Sequence, residues 1–134
     1  VAVRAKKTAE QSGIPITVQT VIVWGGETYD TTGFHDNTTN NSRITIPTGQ
    51  GGFYLVNTSV SLEDTSTSGD FEVRIRKNGT TEVALVNWPN HGPDVTARLT
   101  DVIQLTATDY IEVTVTFFSG ANTTAYNLGE GSFF

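Results

Sequence analysis

Apolar residues recur at every second position along most of the chain, and no stretch of a dozen residues sustains the spacing of a helix. Phe71, Val73 and Ile75 alternate with Glu72, Arg74 and Arg76, and the run stops at Lys77-Asn78-Gly79. Asn-Gly supplies the positive φ angles of a two-residue turn, so this pattern predicts a strand entering a tight hairpin, with its partner over Thr81 to Trp88. Leu99, Ile103 and Leu105 predict a further strand, and Thr108-Asp109 a turn. Ile111, Val113, Val115 and Phe117, alternating with Glu112, Thr114 and Thr116, then form the cleanest half-buried strand.

Upstream, Ile16 to Trp24 and Phe53 to Leu62 read as two longer strands, separated by a polar stretch from Gly25 to Asn41 that holds short strand pieces at best. Ile44 to Ile46 is a short strand closed by Pro47. With Val1 to Lys7 and a last strand near Ala125 to Phe134, the chain carries roughly nine or ten strands at the spacing of a sandwich. Val83-Ala84-Leu85-Val86 and Val21-Ile22-Val23-Trp24 are apolar on both faces. A two-layer sandwich has no third layer to cover the outer one, so either a loop or a neighbouring subunit must do so. Val21, Val23, Trp24 and Tyr54 are candidate contact residues for such an interface. Val83, Leu85 and Phe117 join them.

Composition narrows the class. At 134 residues the chain is one domain's length, and residues 1–134 are expected to form a single unit. Thr, Gly and Asn are abundant, which favours strands and turns. The net charge of −6 repels a phosphate backbone unless the few cations gather on one face. Arg4, Lys6, Lys7 and Arg74, Arg76, Lys77 alternate with apolar residues as the wet face of a strand does, so no nucleic-acid partner is expected. The absence of Cys excludes disulfides and thiolate metal sites. No apolar run approaches the roughly 20 residues of a membrane span, so no membrane insertion is expected. The start at Val1 and the lack of Met fit an excised or processed chain.

Candidate chemistry is sparse. The two histidines, His35 and His91, lie in loops beside Asp36 and Asp94 and read as solvated, since a catalytic base also needs a nucleophile and an orienting partner. No Gly-x-Ser-x-Gly elbow is present. Glu63, Asp64, Asp70, Glu82, Asp101, Asp109, Glu112 and Glu130 read as ordinary surface acids. Asp30, Asp36 and Asn37 offer hard oxygen ligands for a structural Ca²⁺, although no recognisable calcium loop surrounds them. Exposed aromatics flanked by amides suit a ligand such as a glycan, which points to Trp88, Asn90, His91 and Tyr126 as a ligand surface; the alternative places Trp88 and Tyr126 in the core or in a subunit contact. Asn37, Asn40, Asn57, Asn78 and Asn122 stand in Asn-x-Ser/Thr triplets, which Thr richness also generates by chance.

A collinear set of short motifs then carries a resemblance. The chain reads Tyr29-Asp30-Thr31-Thr32-Gly33-Phe34-His35-Asp36, next Arg43-Ile44-Thr45-Ile46-Pro47, next Gly52-Phe53-Tyr54. It continues with Arg74-Ile75-Arg76-Lys77-Asn78-Gly79, and with Val102 to Leu105 leading to Asp109-Tyr110-Ile111-Glu112-Val113. This order resembles the complement globular-head and tumour-necrosis-factor jelly roll, in particular its phage and bacterial fibre versions. Thr108 departs from the family's usual Gly, and Thr48-Gly49-Gln50-Gly51 is longer than the usual link. The resemblance implies an all-β, ten-stranded antiparallel jelly-roll sandwich assembled as a compact homotrimer that binds receptors, glycans or other ligands.

The expected function is that of a non-enzymatic structural or binding module of a virion or surface fibre, needing no cofactor and located on a virion or extracellular surface. A larger fibre assembly, or a cell-surface receptor or glycan, is its expected partner. A secreted complement-like recognition domain and a carbohydrate-active β-sandwich are the alternatives.

Overall fold

Strand alternation and turn chemistry together build two sheets. A computed structural model of the chain describes residues 1–63, 69–89, 94–120 and 126–128. In chain order the strands are β1 (Val3–Lys6), β2 (Gln11–Ile14), β3 (Thr20–Val21), β4 (Gly26–Asp30), β5 (Arg43–Thr45) and β6 (Gly52–Glu63). They continue with β7 (Gly69–Lys77), β8 (Thr81–Trp88), β9 (Asp94–Leu105), β10 (Tyr110–Gly120) and β11 (Tyr126–Leu128). One sheet runs β2-β11-β6-β9; the other runs β3-β10-β7-β8, with β5 also pairing along β10. β1 and β4 form a separate two-stranded ribbon. These pairings are all antiparallel. The fold is the expected all-β jelly roll.

The core lies between the sheets. Val56, Val60 and Leu62 of β6 and Ala97, Leu99, Ile103 and Leu105 of β9 face Phe71, Val73 and Ile75 of β7 and Ile111, Val113, Val115 and Phe117 of β10. Removing each such Val, Leu, Ile or Phe side chain from water stabilises the fold by about 1.5–3 kcal/mol before entropy is counted. The β7–β8 turn has Asn78 at φ 53° and Gly79 at φ 74°, the two positive angles that a type I′ hairpin requires.

Two expected elements differ. Ile16 to Trp24 is regular only at Thr20–Val21, because Thr17 adopts φ 63° and breaks the extended run. A side chain replaces the missing strand: Gln11 Nε2 donates to the Val21 carbonyl at 2.9 Å, and the Val23 amide donates to Gln11 Oε1 at 2.9 Å. Lys7 Nζ completes this corner by donating to the Val23 carbonyl at 3.1 Å. Lys7 is therefore buried, not on a wet face, and burial lowers its pKa below the ordinary 10.5. Within the polar stretch Gly25 to Asn41, Gly26–Asp30 is a full strand because β1 pairs with it. Of the expected last strand, Tyr126–Leu128 is seen, pairing with β2 and β6, and the rest lies outside the described residues.

Candidate functional site

The β6 alternation decides which side chains face water. Val56, Thr58, Val60 and Leu62 point into the core, so Phe53 and Leu55 point out of the β6–β9 sheet and are 73% and 74% exposed. Val102 lies directly opposite Leu55 in the register and is 60% exposed. Further along the same face the pairs turn polar, with Asn57 opposite Thr100 and Ser59 opposite Arg98. The apolar end adjoins a cleft of about 820 Å³ between β6 and the β1–β4 ribbon, walled by Val1, Tyr29, Phe53 and Leu55. At its floor Phe34 meets Tyr54 edge-on at 6.0 Å, and the Tyr54 hydroxyl donates to the Gln50 carbonyl. Single exposed apolar side chains are ordinary on a protein surface, but here three are grouped beside a cleft.

The outer face of the other sheet is built differently. Arg76 Nη2 meets Glu112 Oε1 at 2.6 Å and its Nη1 meets Gln19 Oε1 at 2.6 Å. Arg74 bridges Glu72 and Glu82. The long arginine stems lie over their partners, so Glu72, Glu112, Thr114 and Thr116 are buried. Glu112 is thus a covered ion-pair acid and not a solvated one.

The expected contact residues divide. Trp24 and Phe117 are wholly buried in the core of one chain and have no surface to offer a neighbour, which removes them from the candidate interface. The reason is the alternation itself: Ile22 and Trp24 point inward while Val21 and Val23 point out. Tyr54 is half-buried at the cleft floor. Val21 and Val83 are half-buried, Val23 is exposed, and Leu85 is 43% exposed. Phe53, Leu55 and Val102 escaped the sequence reading, although four consecutive apolar residues, Phe53-Tyr54-Leu55-Val56, carried the same two-faced signal as the strands it singled out.

Of the expected ligand surface, Trp88 is 39% exposed while its ring stacks on Phe71 at 6.3 Å, so one face serves the core. Asn90 and His91 lie outside the described residues, as does the side chain of Tyr126, whose backbone pairs with Ile14. His35 is not solvated: its ring is buried, with Nδ1 3.0 Å from Glu27 Oε1 and Nε2 3.2 Å from the Asn41 carbonyl. The carboxylates considered for Ca²⁺ serve their own loop. Asp30 accepts from the amides of Thr32, Gly33 and His35, and these outweigh the upward push of burial to lower its pKa. The Thr38 hydroxyl and amide, with the Thr39 amide, bring Asp36 to about 2. Among the described residues no three His, Asp or Glu side chains cluster as a metal set.

Two solved structures share this arrangement of strands. The globular domain of zebrafish complement 1qA protein superposes with a TM-score of 0.64 at 13% identity, covering 98% of this chain and 94% of that one. Murine APRIL superposes with a TM-score of 0.60 at 12% identity, covering 94% of each chain. The likeness is one of fold. No protein-family model matches the chain, and no curated protein sequence matches it.

Proposed function

We propose that the chain is a non-enzymatic recognition module that works as a homotrimer at an extracellular surface. The observation that carries this reading is the outward cluster of Phe53, Leu55 and Val102, too apolar to be left facing water in a strand protein of net charge −6. Sister copies of the chain cover it, with Val83 and Leu85 at the β8 edge as a second contact. Likeness of fold to the zebrafish complement 1qA head and to murine APRIL supports a module of this class. The finer reading, a virion or fibre module binding a receptor or glycan near Trp88, rests on the motif order from Tyr29 to Val113 alone. A secreted complement-like domain accommodates the same fold equally well, and the identity of the genes flanking this one separates the two.

Light scattering tests the assembly. A particle of three times the 14.5 kDa chain mass is expected, falling to one chain mass in Leu55→Asp, where a carboxylate is forced into a desolvated contact. A wild-type protein that remains a single chain at high concentration overturns the reading.

A further inference from the structure

We draw no further inference here: the strongest candidate, the cleft of about 820 Å³ between β6 and the β1–β4 ribbon, adjoins the Phe53 and Leu55 patch already described, and nothing in the structure shows what fills it.

Discussion

Asn78 and Asp109, in two different hairpin turns, are bound side chain to side chain, with Asn78 Nδ2 donating to Asp109 Oδ1 at 2.8 Å. The other Asp109 oxygen accepts from the Thr106 amide at 2.8 Å and lies 2.6 Å from Lys77 Nζ. Lys77 foremost, then Asn78 and Thr106, hold this carboxyl well below its ordinary 3.8. A lowered carboxylate pKa stabilises the fold above the unfolded value and loses that effect as pH falls through the folded one. Asp109→Asn turns amide hydrogens toward these donors. It is expected to lower the melting temperature at neutral pH, with the gap to the parent shrinking steadily below about pH 4 as the parent loses its charge. A gap that stays constant down to strong acid would show that the carboxylate charge is not what joins the turns.

Two turn residues with positive φ should respond in opposite directions. Thr108 sits at φ 74° with a β-branched side chain, a conformation disfavoured by about 1–2 kcal/mol for residues other than glycine. Thr108→Gly relieves this and gives back part through greater freedom of the unfolded chain, a net gain of about 0.5–1 kcal/mol. Gly79→Ala adds strain at φ 74° and drives a methyl against the Tyr110 hydroxyl, for a loss of about 1–2 kcal/mol. Urea unfolding of the pair measures both signs.

Thr108 also shows how much of the fold was legible. Thr108-Asp109 marked the turn, and period-two spacing marked β7 and β10 because their apolar residues point one way. What alternation cannot say is which of two apolar faces meets the other sheet. At Phe53-Tyr54-Leu55-Val56 both faces are apolar, so the strand was readable and the outward pair was not. Trp24 was misassigned for the same reason. His35 and Gln11 were missed because their burial depends on partners distant along the chain: Asn41 and Glu27 for one, Val21 and Val23 for the other.

Gln11 acts as a side-chain substitute for a strand. Replacing it with Ala orphans the Val23 amide and the Val21 carbonyl and strips an acceptor from Lys7. A loss of about 1–3 kcal/mol is expected. Hydrogen exchange at the Val23 amide should accelerate while that at Thr114 and Thr116 does not, since these alternate residues of β10 turn their backbone groups to β7.

Phe117 packs on Phe71 at 6.1 Å within one chain, so Phe117→Ala leaves a cavity that assembly cannot fill. It should lower stability by about 3–5 kcal/mol. A residue shared between subunits gives a melting point that rises with protein concentration by mass action. The destabilisation at Phe117 should instead be the same at low and high concentration, and a concentration-dependent difference would return this side chain to the interface.

Leu55 and Leu85 lie on different sheets, so aspartate at each asks separately which face meets a sister chain. Leu55 is 74% exposed against 43% for Leu85, and buries correspondingly more apolar area if covered. In an isolated chain both changes are surface substitutions worth about 0.5 kcal/mol or less. Leu85 moreover faces Arg74, which is already shared by Glu72 and Glu82, so a third carboxylate gains little there. Any large loss of assembly therefore reports desolvation of the new charge at a contact and not local unfolding. Sedimentation should find Leu55→Asp fully dissociated and Leu85→Asp partly so at equal concentration. Dissociation by Leu85→Asp alone would place the contact on the β8 edge and leave the Phe53 patch for another partner.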